Sequence, residues 1–306
     1  MKEFSSRYLW PFWTNKKSRL GLLILCGFLF IAIFAPILAP YSPTTNKYGS
    51  MLPPTPNHLF GTTQTGEDIF SQWVYGTRVS LLVAFVAGIA TTFIGLIIGM
   101  LAGYLSGAID EILSYLMNVF LVLPALPLMI VLAAYFPVKG MTIIIVVIIF
   151  TSWAWGARSF RAQAKTLRTR DYIIAARFSG DSLLRIIFKE ILPNMMSLVA
   201  ASAIGSATAS ILAESSLEFL GLGDPTVISW GTMLYWAQNN GALLMGQWVW
   251  MVVPGATIAL FGSSLVLLNF AVDQLSNPRL GKEHQTRKIK KQKKLNEALM
   301  NSGDPS

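Results

Sequence analysis

The chain has 306 residues, 53% of them hydrophobic and only 13% charged, with a net charge of +9. Soluble domains carry about a quarter charged residues, so much of this surface never meets water. The single cysteine, Cys26, excludes an internal disulfide or a thiolate metal cluster, and His58 and His284 are too isolated for a metal site or a catalytic base.

The N-terminal tail, 1–19, is basic. Residues 20–39 follow as a charge-free apolar run. A helix needs about 20 such residues to cross a bilayer core. The run is too long for a signal peptide and no small-residue cleavage site follows it. A polar external loop, 40–78, leads to further apolar runs at 79–109, 112–138, 140–157, 191–213 and 248–272. In lipid every backbone group must be paired within the chain, so these runs are helices. The fold class is therefore all-α, a polytopic membrane protein with six transmembrane helices, in which 79–273 form a five-helix core. Pro124 and Pro127 should kink the third span, since each removes a helix hydrogen bond. Residues 225–247 also lack charge, but the run Gln238, Asn239, Asn240 and the surrounding Gly231, Gly241 and Gly246 mark an external loop. Trp230, Tyr235 and Trp236 read there as interfacial aromatics.

Basic residues set the orientation. Five lie in the first tail (Lys2, Arg7, Lys16, Lys17, Arg19), eight between Arg158 and Lys189, and eight between Arg279 and Lys294. Only Lys47, Arg78 and Lys139 lie elsewhere. Blocks separated by uncharged runs are the pattern of cytoplasmic membrane loops rather than of a nucleic-acid surface. With six spans, all three blocks share one side and both termini are cytoplasmic. The loop carrying Asp110 and Glu111 lacks basic residues and does not contribute to this assignment. The tail 274–306 is basic; its polar part from Lys282 onward reads as a solvated extension, with anionic headgroups as the other candidate partner.

Covalent chemistry has no home in this chain. A P-loop requires Gly-x-x-x-x-Gly-Lys-Ser/Thr, and the only Gly-Lys pair, Gly281-Lys282, runs on into Glu283. No residue pattern calls for a cofactor or a metal. Ion-coupled carriers place ionisable groups in mid-span, whereas Glu214 and Asp273 fall at span ends, which disfavours a secondary carrier.

The segment 158–194 carries the most information. Asp171 suits a helix N-terminus, Gly180 ends that helix, and Pro193 suits the start of the next span. Read alone, this is an amphipathic cytoplasmic loop. Two rows of small residues also recur at every fourth position: Gly95, Gly99, Gly103 and Gly107, then Ala201, Gly205, Ala209 and Ala213. Such rows let helices approach closely, either as static packing or as a gating contact.

The segment resembles the cytoplasmic signature loop of bacterial importer permeases: Glu-Ala-Ala, three residues, Gly, nine residues, Ile-x-Leu-Pro. Ala175, Ala176, Gly180, Leu192 and Pro193 match in register, while Ile174 and Glu190 stand where glutamate and isoleucine are expected. Three more stretches are similar to the dipeptide and oligopeptide permease branch. They are Leu59 to Ser71 with Gly76 to Ser80, Glu214 to Gly223 with Ser229-Trp230-Gly231, and Asn277 to Leu280. Thr63 and Glu67 replace that pattern's usual aspartate and arginine, and Asn277 its usual aspartate. The resemblance implies a type I importer permease in a bacterial or archaeal inner membrane. Its implied partners are a second, homologous permease, two cytoplasmic ATPases and an external binding protein. Tyr172, Ala175, Ala176, Gly180 and Asp181 would then form the ATPase-coupling surface. The substrate stays open between short peptides, oligosaccharides and nickel, because residues 223–240 look like variants associated with sugar uptake.

Overall fold

The computed structural model describes residues 16–276, with side chains over 16–272. Most of the N-terminal tail, the Asn277 to Leu280 stretch and the basic block at 279–294 lie outside the described residues. In chain order the helices are α1 (Lys16–Ile33), α2 (Ala35–Leu38), α3 (Ile69–Tyr104), α4 (Ala108–Val122), α5 (Ala125–Tyr135) and α6 (Met141–Arg168). They continue with α7 (Asp171–Phe178), α8 (Leu183–Arg185), α9 (Met196–Phe219), α10 (Trp230–Asn239) and α11 (Trp248–Ser276). Among the described residues, extended pairing is limited to one isolated bridge, Thr62 with Asp68.

Four helical runs are long and apolar enough to cross a membrane: α3, α6, Leu183–Phe219 and Trp248–Val272. A fifth arises if α4 and α5, bent by 91°, count as one broken span. Leu123 is extended and Pro124 caps α5, so the bend falls at the first of the two expected proline positions. The expected span 20–39 differs from the rest. Its helix α1 begins with Lys16, Lys17 and Arg19, stops at Ile33, and resumes at Ala35 with proline in the first turn. Its 18 residues reach about 27 Å, just under the bilayer core.

Other boundaries move as well: α3 already begins at Ile69, inside the expected 40–78 loop, and α6 continues to Arg168, past the expected end at 157. The fifth span begins at Leu183 rather than at 191, because the chain stays helical through Pro193. A π turn at Ile186–Ile191 and a 3-10 turn at Leu192–Met195 absorb the proline's missing donor and ring bulk. Residues 225–247, expected as a loop, contain α10. Ser229 caps this helix in a reciprocal box with Thr232, which offsets the amide-rich and glycine-rich composition. Trp230 is correspondingly not interfacial: it is fully buried, edge-on to Phe28 of α1 and near Phe261 of α11.

Helix α3 is the centre of the fold, packed against α6 along one side and α9 along another, while α1 lies on α11. Approach of α3 to α6 depends on glycine. A Cβ at Gly95, Gly99 or Gly103 would lie 2.9, 2.4 or 2.6 Å from atoms of α6. The chain direction defines two ends. The close of α3 and the start of α1 lie towards the basic segment, whereas the start of α3, α10 and the start of α11 lie at the other end.

Candidate functional site

At the basic end, α7 has Asp171 in its first turn and Arg177 in its last, matching the helix dipole. It ends in a Schellman turn: Gly180 N–H donates to Arg177 O at 3.0 Å, and Asp181 N–H to Ala176 O at 3.1 Å. Gly180 has φ +80°, a conformation open to glycine and strained for most other residues. Ile173 is fully buried and anchors α7 to a cluster with Phe160, Leu167, Ile186, Ile187 and Ile191. Outside that anchor the surface is apolar and open: Tyr172, Ile174 and Ala175 are exposed, Phe178 is 89% exposed, and Leu184 and Phe188 extend the patch. Of the expected contact residues, Tyr172, Ala175 and Gly180 therefore face outward together. Ala176 packs partly inward, and Asp181 is half-buried, 3.3 Å from Arg185.

The patch is braced from α3. Arg177 Nε donates to the Tyr104 hydroxyl at 2.9 Å, and its guanidinium lies 4.6 Å from the Tyr104 ring centroid. The loop before α4 belongs to the same end, which its composition did not indicate. Asp110 accepts from Arg161 at 2.6 and 3.1 Å and pairs with Lys165 at 2.7 Å, and Arg168 donates to Ser106 at 3.3 Å. These contacts place an acidic turn against the basic segment.

The two small-residue rows behave differently. Gly95, Gly99 and Gly103 are closed against α6, whereas a Cβ at Gly205 would meet nothing within 4 Å. Ala209 is exposed and Ala201 half-buried, so the second row presents an open face in this chain.

At the opposite end, two glutamates one helical turn apart on α9, Glu214 and Glu218, are buried and take part in none of the ion pairs among the described residues. Glu214 accepts from Ser80 Oγ at 3.1 Å and from Ser215 Oγ at 2.9 Å, and Ser80 Oγ in turn accepts from Trp230 N–H at 3.1 Å. Glu218 accepts from Ser229 Oγ, which accepts from Thr232 N–H at 3.0 Å. The carboxylates thus tie the N-terminus of α10 to α9 and α3. Glu214 reads as a span-end residue from sequence, and its burial was not foreseen; the four-residue spacing to Glu218 was the available signal. His58 is likewise not isolated. Its Nδ1 lies 2.9 Å from buried Asp68, whose other oxygen caps α3 through Ser71 N–H at 2.8 Å. Beside this knot, a cavity of about 330 Å³ opens between the 40–68 segment and α10, lined by Glu67, Gln72, Met233, Trp236, Asn240 and Trp250 among others.

Comparison with known proteins adds findings of three kinds: family models, relatives and a solved structure. Residues 95–282 match the family described as binding-protein-dependent transport system inner membrane component. Residues 4–54 match the N-terminal TM domain of oligopeptide transport permease C. The dipeptide transport system permease protein DppC of Bacillus subtilis strain 168 is 34% identical over 270 residues, 87% of this chain and 83% of that protein. The oligopeptide transport system permease protein OppC of the same strain is 32% identical, over 83% of this chain and 84% of its own length. The di/tripeptide transport system permease protein DppC of Pseudomonas aeruginosa strain UCBPP-PA14 is 31% identical over 92% of both chains. Among solved structures, the inward-facing MetNI methionine ABC transporter superposes with a TM-score of 0.54 at 19% identity, over 67% of this chain and 94% of that one.

Proposed function

The chain belongs to the family of binding-protein-dependent transport system inner membrane components, and on that premise we propose that it forms half of the translocation path of an ATP-driven importer of short peptides. Its relatives are permease subunits, and those quoted are named for dipeptides, oligopeptides and di- or tripeptides. The chain itself is a transport subunit. In this reading a second, homologous permease completes the path, two cytoplasmic ATPases supply energy, and an external binding protein delivers substrate.

The observation that carries the reading is the patch on α7. An apolar surface around Tyr172, Ala175, Phe178 and Gly180 stands out from a rigid, buried base at Ile173. Exposed aromatic and aliphatic side chains on a basic, water-facing segment are costly unless a partner covers them. We assign that partner as the ATPase, with Ala176 and Asp181 bracing the contact from within. The basic face is then cytoplasmic, and the end holding α10 faces outward. Gly95, Gly99 and Gly103 act as static packing in this account. The open row Ala201, Gly205 and Ala209 is where a moving contact with the second permease fits.

The test is uptake of labelled di- and tripeptides into proteoliposomes holding the complete importer. ATP-dependent uptake that needs the binding protein supports the assignment. Uptake that survives without ATP and collapses with the ion gradient would replace it with a secondary carrier. ATP-driven uptake of oligosaccharides or nickel, with none of peptides, would keep the importer and change its substrate.

A further inference from the structure

We propose that the cavity beside Glu67 is a binding site for a primary ammonium group, occupied by the free amino terminus of a short peptide; this rests on the peptide-importer reading. The cavity's volume of about 330 Å³ sits at the low end of the 300–1,000 Å³ typical of small-molecule sites, room for the first one or two residues of a peptide.

The carboxylate is the reason for an ammonium. Glu67 Oε2 accepts from Gln72 Nε2 at 2.8 Å, from Thr65 Oγ1 at 3.1 Å and from Thr63 Oγ1 at 3.3 Å. All three donors are neutral, so they hold the carboxylate in place and leave its charge uncompensated. The ion pairs among the described residues join His58 to Asp68, Asp110 to Arg161 and Lys165, and Asp181 to Arg185; Glu67 takes part in none of them. The importer pattern that this stretch resembles has aspartate and arginine at positions 63 and 67, a neutral pair. Thr63 and Glu67 convert it to a single negative charge, and that charge lines the cavity.

The other walls fit the rest of a peptide terminus. Trp236 is fixed by its indole N–H, which donates to Pro225 O at 3.0 Å, and its ring offers a face to a cation. Ile228, Met233 and Trp250 provide an apolar surface for the first side chain. Asn240 supplies an amide group for the first peptide carbonyl.

The experiment uses the full chain with its partner permease in nanodiscs, without the binding protein, and measures binding of alanyl-phenylalanine and of its N-acetyl form by calorimetry. The free peptide should bind at least about tenfold more tightly than the acetylated one, the effect of one charge-assisted bond. Glu67→Gln should remove that difference. Because Glu67 also orders the loop, Trp236→Leu, at the rim, provides a second variant and should weaken free-peptide binding while thermal stability holds. Equal binding of both peptides, no binding of either, or binding of a neutral oligosaccharide in their place overturns the proposal. Peptide uptake by the complete importer is scored separately: uptake with no Glu67-dependent preference for a free amine sinks this site alone, whereas absent uptake sinks the importer reading.

Discussion

The guanidinium of Arg177 and the ring of Tyr104 stack at 4.6 Å, with a hydrogen bond of 2.9 Å from Nε to the phenol oxygen. This joins the last turn of the exposed helix α7 to the last turn of α3, the helix at the centre of the fold. In the proposed coupling, this stacked, hydrogen-bonded pair is the contact through which a movement of α7 would reach α3.

Tyr104→Phe keeps the ring and removes the acceptor, and should weaken the tether by about 1 kcal/mol. Tyr104→Ala removes both and also opens the cluster around Phe160 and Ile173. In proteoliposomes, Tyr104→Phe should lower the ratio of peptide transported to ATP hydrolysed by a few-fold while folding is intact. An unchanged ratio in both variants would show that the pair transmits nothing.

Gly180 separates backbone from contact effects. Its φ of +80° disfavours side chains, yet a Cβ there meets nothing within 4 Å. Asparagine tolerates this conformation and a β-branched residue does not, so Gly180→Asn should retain most transport. Gly180→Val should cost about 1–2 kcal/mol locally and uncouple hydrolysis from transport. Equal transport by the two variants would remove Gly180 from the coupling surface.

The two small-residue rows give opposite expectations. Gly99→Ala pushes a methyl to 2.4 Å from Ala157 O and 2.7 Å from the Phe160 Cβ, so α3 and α6 must separate. Overpacking of this kind costs about 1–3 kcal/mol, which a thermal melt in detergent should read as a clear drop. Gly205→Ala meets no atom within 4 Å among the described residues and should leave the isolated chain's melt unchanged. If it nonetheless lowers transport, Gly205 faces the second permease; if transport is also unchanged, the row is lipid-facing.

The legible parts of the molecule were those carried by charge and by turn chemistry. Charge-free runs located the apolar helices, and Asp171 marked the start of α7, whose last residue, Phe178, lies two positions before the Gly180 turn. Helix α10 was hidden because Gln238, Asn239 and three glycines resemble a loop, whereas the Ser229–Thr232 box that starts the helix is a local signal that outweighs them. Pro193 suggested a helix start, but π and 3-10 turns carry the chain past it, and no residue pattern announces such a repair. Pairings across the sequence were out of reach for another reason. Asp110 with Arg161, and Glu214 with Ser80, are separated by 51 and 134 positions, and only the packing of α4 against α6 and of α3 against α9 brings them together.

The Glu214–Glu218 knot yields the last prediction. Ser80 relays Trp230 N–H to Glu214, and Ser229 relays Thr232 N–H to Glu218, so α10 is held by two parallel chains of hydrogen bonds. Glu218→Ala breaks one chain and strands the buried Ser229 hydroxyl, a loss of about 1–3 kcal/mol. Ser80→Ala breaks the other and leaves Trp230 N–H without its acceptor. Each single variant should leave α10 docked through the surviving chain, because Trp230 is also packed between Phe28 and Phe261. The double variant should release it. Hydrogen exchange across 229–239 checks this: protection should fall modestly in each single variant and collapse in the double. Collapse in a single variant would mean that the two chains are not independent and that α10 is held as one unit.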